Sequence, residues 1–409
     1  MAYIDRSIEP LVAQIADEYS VILVTGPRQV GKSTMLQHVL EQRDEPIETV
    51  TLDDLTERQL AATDPAMFFQ VHQPPVMVDE VQYAPELFSR IKMMVDDGMP
   101  AGSFWLTGSQ QFRLMELAGE SLAGRAAVLP LSSLTQVETE KLPGLPFSLD
   151  LKIWKERERK TKPRTILELF AAMHRGAMPG VVSGKYVNLT VFYESYIRTY
   201  IERDVRRLLG TVDALEYLDF MRAVAARCSQ LLNIAALAKD VGIRQDKAKS
   251  WLSVLERSGI VFLLHPYSNN QLKRTVKAPK LYFHDCGLVA HLTRWNTSDT
   301  MQSGAMSGAF MENYVVSEIY KSYLNVGMEP PLYYYRDHDG REIDLVIETD
   351  GELHPIEVKK TASPNLSMAS SFRALDRSSI PRGQGAIICA ADHATALDAE
   401  TLVLPAGLL

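Results

Sequence analysis

Cysteine is scarce in this sequence, and long apolar runs are absent. The 409 residues contain three cysteines, Cys228, Cys286 and Cys389, which lie far apart and form no CxxC or metal-binding pattern. No uninterrupted apolar stretch approaches the ~20 residues that a membrane helix needs. The opening residues are neither basic nor strongly apolar, as a signal peptide would be. These absences exclude a disulfide scaffold and predict a reduced, cytoplasmic protein with no membrane partner.

Excess positive charge is also absent from the chain as a whole. The net charge is −8, which argues against a wholly basic nucleic-acid-binding protein. The charge is unevenly distributed, however. Residues 151–280 contain 24 Lys and Arg against 12 Asp and Glu, so this middle segment carries +12 and the remainder −20. A basic middle between acidic ends predicts a surface for a polyanion, although a merely solvated basic face would give the same count.

A glycine-rich loop follows the β-branched run Val21–Val24, which is typical of a buried strand. The loop and the helix start after it fit G-x-x-x-x-G-K-[ST] at every fixed position. The glycines let backbone N–H groups approach phosphate oxygens, the lysine reaches the β- and γ-phosphates, and the hydroxyl binds Mg²⁺. The predicted nucleotide-binding residues are Gly26, Pro27, Arg28, Gln29, Val30, Gly31, Lys32, Ser33 and Thr34. Lys32 is also assigned to catalysis and Ser33 to the metal.

Two carboxylates end the next strongly apolar run. Pro75–Val78 reads as a strand, and Asp79 and Glu80 follow it directly. Paired with the phosphate loop, this arrangement is typical of a Walker B strand. Asp79 is then expected to hold the Mg²⁺ hydration shell, and Glu80 to orient or deprotonate the attacking water. A strand that simply ends in an acidic turn is the alternative.

Two further polar positions follow the later strands. Ser103–Thr107 predicts a strand, and Ser109 or Gln110 at its exit is a candidate for contact with the γ-phosphate. Thr107 is a further candidate, although a turn or capping role fits each of these residues. Arg125 follows a small residue at a predicted helix end and is a candidate arginine finger or sensor, acting within the chain or on a neighbour. A surface arginine is the alternative. Strands that alternate with helices in this way predict a parallel α/β sheet.

These motifs together resemble one family. The segments GPRQVGKST, DEVQ, LTGSQQF and SLAGR are similar to those of prokaryotic AAA-type ATPases with a C-terminal domain of uncharacterised function. The resemblance covers essentially the whole chain. It implies a P-loop NTPase sheet and ATP with Mg²⁺ as cofactors. GTP is disfavoured, because no guanine-reading N-K-x-D sequence is present. Whether the chain forms a homo-oligomer stays open at this stage.

The middle of the chain has a helical pattern that ends in two strands. A long helix is predicted over 193–209, and two shorter ones over 234–241 and 244–258 with a turn at Gly242. Strands at 260–264 and 280–283 follow, separated by the basic stretch 269–277 with Lys273, Arg274 and Lys277. This order resembles a winged helix, which implies either DNA contact or a packing role.

The C-terminal segment contains a hairpin signal. Asp350-Gly351 is a strong two-residue turn between two alternating runs. If these residues form the loop, Asp344 lies directly opposite Glu357, with Cβ atoms roughly 5 Å apart. Alternation along the strand places Lys359 on the same face as Glu357. Two facing carboxylates repel each other unless a cation or a proton lies between them.

This constellation resembles the PD-(D/E)xK nuclease core, with Glu312 on a preceding helix as the additional acid. The proline that often precedes the aspartate is replaced by Ile343. The resemblance implies that Glu312, Asp344 and Glu357 hold Mg²⁺ and that Lys359 positions or activates water. An exposed hairpin with an ion pair is the alternative.

The predicted domains are an ATPase domain (1–150), a helical region (151–225), a winged-helix domain (226–300) and an α/β nuclease-like domain (301–409). The predicted function is an ATP-hydrolysing AAA-type ATPase that acts on DNA. Two alternatives are kept: a nucleotide-gated protein that binds DNA or a protein partner without cleaving it, and a structural module whose last domain only docks a partner.

Overall fold

Five parallel strands form the first sheet of the protein. The computed structural model describes residues 3–43, 46–109, 114, 118–268 and 278–409. The strands are β1 (Val21–Thr25), β2 (Glu48–Thr51), β3 (Val76–Asp79), β4 (Phe104–Gly108) and β5 (Ala126–Pro130), in the order β2-β3-β4-β1-β5. All four pairings are parallel, which confirms the predicted α/β sheet. The carboxyl ends of the strands therefore share one edge, where Gly26, Glu80 and Ser109 follow β1, β3 and β4.

Helices connect these strands, and their starts follow local sequence signals. The helix Pro65–Val71 begins at a local capping signal, because the Asp64 side chain accepts a hydrogen bond from Met67 N at 2.9 Å and a proline occupies the first turn. The other helical segments of this region are Glu9–Ile15, Lys32–Glu41, Leu55–Thr63, Glu86–Asp96, Gln136–Thr139 and the 3₁₀ turn Val81–Tyr83.

The middle segment is helical apart from one antiparallel strand pair, β6 (Val261–Leu264) and β7 (Lys280–Phe283). Its long helix is not uniform, because a π-helical turn at Ile201–Val205 separates the α-helices Leu189–Tyr200 and Arg206–Leu209. The predicted basic tip, residues 269–277, lies outside the described residues. The remaining helices are Leu151–Lys160, Ile166–Arg175, Pro179–Val182, Ala214–Ala225, Ile234–Val241, Gln245–Arg257, Cys286–Leu292 and Ser298–Ser303.

A mixed six-stranded sheet and one long helix, Ser307–Leu324, form the C-terminal part. The strands are β8 (Leu332–Arg336), β9 (Glu342–Thr349), β10 (Glu352–Lys359), β11 (Gly385–Cys389), β12 (Thr395–Ala396) and β13 (Thr401–Pro405), in the order β12-β13-β11-β10-β9-β8. The segment Leu366–Arg377 is 3₁₀-helical, and a second 3₁₀ turn covers Ala406–Leu408.

The β9–β10 hairpin has the predicted register. Thr349 pairs with Glu352, and the pairing continues to Leu345 with Ile356, so the next residues along the strands are Asp344 and Glu357. Asp350 and Gly351 form the loop with φ values of 53° and 77°. Two successive positive φ angles are the requirement of the tight hairpin turn that Asp-Gly favours.

One hydrophobic core contains residues from all parts of the chain, including Trp105, Tyr217, Val316 and Leu404. The Ser307–Leu324 helix lies against the segment after β5. Its buried Glu318 accepts a hydrogen bond from Gln136 N at 2.6 Å, and Lys321 Nζ donates to Leu134 O at 2.9 Å. The predicted division into four domains remains a prediction, because this shared core does not separate them.

Candidate functional site

The loop after β1 can form only because two of its residues are glycines. Gly26 has a φ of 144°, and a Cβ atom there would lie 2.0 Å from the carbonyl oxygen of Leu131. Gly31 has a φ of 87° at the start of the Lys32–Glu41 helix. Gln29 also has a positive φ, of 62°. This backbone path turns the loop back over the first turn of the helix, where backbone N–H groups bind anions well.

Lys32 is held by the loop itself. Its Nζ donates hydrogen bonds to the carbonyl oxygens of Gly26, at 3.1 Å, and Pro27, at 2.7 Å. Burial lowers the pKa of Lys32 to about 8, although the negative charges of Glu80 and Asp79 act in the opposite direction. A phosphate group beside this amine would favour its charged form. The surroundings of Lys32 therefore suit an anion.

Asp79 accepts hydrogen bonds from hydroxyl groups on two other elements. Ser33 Oγ, on the helix after the loop, donates to Asp79 Oδ1 at 2.7 Å. Thr107 Oγ1, at the end of β4, donates to the same oxygen. Hydroxyl and carboxylate oxygens are ligands that Mg²⁺ prefers. The donor set of Ser33 and Asp79 thus fits the magnesium ion that the loop pattern implies.

Glu80 is fixed beside Asp79 by side chains that follow the strands. Gln82 Nε2 and Ser109 Oγ both donate to Glu80 Oε2, the latter at 3.3 Å. Glu80 itself has a φ of 58°, which turns the chain sharply after β3. The other predicted polar residue, Gln110, lies outside the described residues. Gln82, to which the sequence pattern assigns no role, contacts Glu80 and orients it.

Arg28 connects the loop to the middle segment. Its guanidinium group contacts the Asp204 carboxylate through two hydrogen bonds of 2.6 and 2.9 Å. Asp204 lies in the π-helical turn. Nearby, the Tyr83 ring contacts Arg58 and Arg207, whose guanidinium carbons lie 4.1 and 4.8 Å from the ring centre. No sequence signal pairs residue 28 with residue 204, so the sequence analysis missed this contact.

A cavity of about 420 Å³ adjoins the phosphate loop. Loop residues Gln29, Val30, Gly31 and Thr34 form one side of it. Val30 is fixed from behind, because Arg6 Nη1 donates to its carbonyl oxygen at 2.8 Å. The remaining wall includes Tyr3, Ile4, Pro179, Gly180, Lys185 and Tyr186. Aromatic and apolar groups next to a phosphate loop could surround a nucleoside.

Arg125 lies at the other edge of the first sheet. It precedes β5, which runs parallel to β1 with Ala126 opposite Val21 and Pro130 opposite Thr25. A strand of five residues spans roughly 15 Å, so Arg125 is far from the phosphate loop of its own chain. Its Nε contacts Asp96 Oδ1 at 2.5 Å. Strand direction therefore separates Arg125 from its own loop, and a catalytic role for Arg125 remains a prediction.

The C-terminal constellation differs from a metal centre. Asp344 Oδ2 accepts a hydrogen bond from Val358 N at 2.9 Å, and Lys359 Nζ contacts Glu357 Oε1 at 2.5 Å. Burial, followed by the charge of Asp344, raises the pKa of both Glu312 and Glu357 to about 7. The space between the acids is filled by Lys280, whose Nζ lies 2.9 Å from Glu312 Oε1 and 3.8 Å from Asp344 Oδ1.

The metal site expected at Glu312, Asp344 and Glu357 stays a prediction. Within the described parts of the chain, no group of three or more His, Cys, Asp or Glu side chains could hold a metal ion. The ammonium group of Lys280 lies close to two of these three acids, Glu312 and Asp344. The role expected of Lys359 likewise stays a prediction.

Comparison with known families identifies the first part of the chain. Residues 18–140 match the family model of an AAA domain. Together with the parallel sheet and its phosphate loop, this match shows that the segment has the AAA-type P-loop ATPase fold. Residues 166–299 match "Domain of unknown function (DUF8612)", and residues 307–409 match "Domain of unknown function (DUF4143)".

Two mycobacterial proteins are similar to nearly the whole chain. Uncharacterised proteins of Mycobacterium tuberculosis and Mycobacterium bovis are each 27% identical over 390 residues, which cover 94% of this chain and 80% of theirs. They extend the similarity beyond the AAA domain.

Among solved structures, the Thermotoga maritima RuvB Holliday junction branch migration motor is 16% identical. That match covers 63% of this chain and 89% of RuvB, with a TM-score of 0.31. A structure on katanin self-assembly is 15% identical over 62% of this chain and 84% of that one, with a TM-score of 0.26. In the residues that the structure describes, no helix is both long and apolar enough to span a bilayer.

Proposed function

We propose that this protein binds ATP together with Mg²⁺ on the loop Gly26–Thr34 and hydrolyses it. The observation that carries this proposal is the 2.7 Å contact between Ser33 Oγ and Asp79 Oδ1, with Lys32 one residue before Ser33. A serine, a lysine and a carboxylate at one sheet edge match the roles that phosphoryl transfer requires.

Each residue has a distinct role in this proposal. Lys32 exchanges its two backbone carbonyl partners for phosphate oxygens, and Ser33 and Asp79 hold the metal. Bound Mg²⁺ neutralises the charge on the β- and γ-phosphates. Glu80 accepts a proton from the attacking water. Gln82 and Ser109 hold the Glu80 carboxylate in place for this step. Ser109 or Gln110 remains the candidate for contact with the γ-phosphate.

The nucleoside is assigned to the cavity of about 420 Å³ beside Gly31 and Thr34. Its position next to the phosphate loop and its two tyrosines, Tyr3 and Tyr186, support this assignment, because aromatic rings stack well on a base. ATP is preferred to GTP on the sequence argument, since no guanine-reading motif is present.

Calorimetry and phosphate-release measurements on three variants test the proposal. Lys32→Ala is expected to lose ATP binding. Glu80→Gln is expected to bind ATP but to hydrolyse it about 10²- to 10⁴-fold more slowly, which is the usual contribution of a general base. Glu86→Gln, an exposed acid on the next helix, is the matched control and should hydrolyse normally. Equal ATP binding by wild type and Lys32→Ala would refute the proposal.

Arg125 is proposed to act on the nucleotide of a neighbouring copy. Strand direction supports this, because Arg125 is separated from its own phosphate loop by the length of β5. Mixing Arg125→Ala chains with Glu80→Gln chains tests the idea, since each mixed interface can then combine one intact loop with one intact arginine. Recovery of hydrolysis above the sum of the separate variants is expected, and no recovery would exclude action in trans.

We also propose that the middle segment contacts DNA, as a winged helix does. Support comes from its +12 charge and from the helix pair Ile234–Val241 and Gln245–Arg257 followed by β6 and β7. Arg244 and Lys249 are exposed at the start of the second helix. Replacing both with Ala is expected to weaken duplex binding and to reduce the slope of log K against log salt by about 1 per lost phosphate contact. Lys162→Ala, in the same basic segment, is the control.

A further inference from the structure

The carboxylate cluster of the C-terminal domain has a built-in cation. Lys280, the first residue of β7, has a side chain only 3% exposed, and its ammonium group faces three carboxylates. Nζ lies 2.6 Å from Glu342 Oε1, 2.9 Å from Glu312 Oε1 and 3.8 Å from Asp344 Oδ1. The three N–H donors of the ammonium group thus lie among three carboxylates. The centre of the Tyr334 ring lies 5.9 Å from Nζ and borders the site.

Lys280 reaches this cluster from another part of the chain. Glu312 is on the Ser307–Leu324 helix and Glu342 and Asp344 are on β9, whereas Lys280 belongs to the β6–β7 pair of the middle segment. Tyr282, also on β7, donates its hydroxyl to Glu312 Oε1 at 2.6 Å. Two side chains of one strand therefore bind the same helix carboxylate, so the cluster joins β7 to the C-terminal domain.

A second ammonium group lies at the other side of the cluster. Lys359 Nζ contacts Glu357 Oε1 at 2.5 Å. Glu357 Oε2 is buried and has no hydrogen-bond partner. Four carboxylates are thus opposed by two fixed ammonium groups. A divalent ion close enough to bind Glu312 and Asp344 would stand within a few ångströms of the Lys280 charge, which like-charge repulsion disfavours strongly.

We propose that Lys280 is the resident cation of this cluster: it occupies the position of the metal ion in a nuclease-like site and fastens the β6–β7 strand pair to the C-terminal sheet. On this proposal the domain does not cleave nucleic acid. This inference is independent of ATP hydrolysis, because none of these residues belongs to the phosphate-loop site.

Manganese binding to the full-length chain tests the proposal. All proteins carry Asp79→Asn, which removes the metal ligand of the phosphate-loop site. On this background, the protein that retains Lys280 should show no Mn²⁺ binding that depends on Asp344. Lys280→Met should gain about one Mn²⁺ per chain, because it leaves Glu312 and Asp344 without their cation, and adding Asp344→Asn should abolish that gain. Lys280→Arg keeps the charge and should gain nothing.

Two outcomes would overturn the proposal. One is Mn²⁺ binding or Mg²⁺-dependent DNA cleavage by the chain with Lys280 intact, when either property is lost in Asp344→Asn. This comparison needs no variant of Lys280, so it decides the matter even if Lys280→Met does not fold. The other is a folded Lys280→Met protein, or a folded Lys280→Gln protein, that gains no metal site.

Discussion

Arg28 of the phosphate loop and Asp204 of the π-helical turn form a two-pronged ion pair, with N–O distances of 2.6 and 2.9 Å. The Arg28 and Asp204 side chains are only 12% and 6% exposed. Burial by itself would lower the pKa of Arg28, but the hydrogen bond and charge of Asp204 outweigh it, so the pKa is raised. The loop that is proposed to bind ATP is therefore fixed to a helix of the middle segment.

Asp204→Asn is expected to destabilise the protein by about 3 kcal/mol, because it leaves a buried guanidinium without its counter-charge. The melting temperature and denaturant midpoint measure the change. Asp219→Asn is the matched control, since Asp219 pairs with Arg222 on the surface and exposed pairs contribute at most about 1 kcal/mol. Equal stability of the two variants would show that the Arg28 contact is not important for folding.

Gln82→Met tests whether Gln82 positions Glu80. Methionine has a similar volume but cannot donate the hydrogen bond that Gln82 Nε2 makes to Glu80 Oε2. We expect kcat for ATP hydrolysis to fall about 10- to 100-fold through misplacement of the base, with KM little changed. Gln59→Ala, an exposed glutamine on the Leu55–Thr63 helix, should leave both constants unchanged. A change confined to KM would assign Gln82 to nucleotide binding instead.

Acid is expected to destabilise the protein through His284. Its ring packs against those of Phe262 and Tyr320, and burial, helped by the Lys321 charge, lowers the pKa of His284 to about 3. The unfolded chain, with a His pKa near 6.5, binds a proton that the folded chain excludes. This contribution to stability is therefore complete above pH ~6.5 and is lost as the pH falls towards 3, by up to about 1.4 kcal/mol per unit.

The measurement is the denaturant midpoint of unfolding at pH 7.5, 6.5 and 5.5 for three proteins. His284→Gln should lose stability less steeply over this range than wild type, because it has no proton to take up on unfolding. His338→Gln, at an exposed position, should keep the wild-type slope. Parallel slopes for wild type and His284→Gln would exclude His284 as a source of acid sensitivity.

Gly351→Ala is expected to destabilise the C-terminal hairpin by about 1 kcal/mol. Gly351 has a φ of 77°, which an L-alanine adopts only with strain, although nothing lies within 4 Å of the added Cβ atom. Gly308→Ala is the control. Gly308 is helical with similarly open surroundings, so alanine there should be neutral or stabilising. Thermal unfolding of both variants measures the difference, and a neutral Gly351→Ala would contradict the turn geometry.

Much of the local structure could be predicted from the sequence. The phosphate loop, the carboxylates after β3 and the register of the β9–β10 hairpin all depend on residues close together in the chain. Glycine at positive φ, strand alternation and an Asp-Gly turn act over a few residues, so the pattern itself carries the information. The long helix predicted over 193–209 was less well determined, because a π-helical turn interrupts it at Ile201–Val205.

The identity of the long-range partners was decided by the tertiary structure alone. Asp204 meets Arg28 across 176 residues, and Lys280 fills the acid cluster in place of the metal that the hairpin pattern implied. The direction of β5 places Arg125 away from the phosphate loop of its own chain. The reason is physical: a side chain's charge depends for its effect on what packs within a few ångströms of it, and packing between distant segments leaves no periodic or local signal in the sequence.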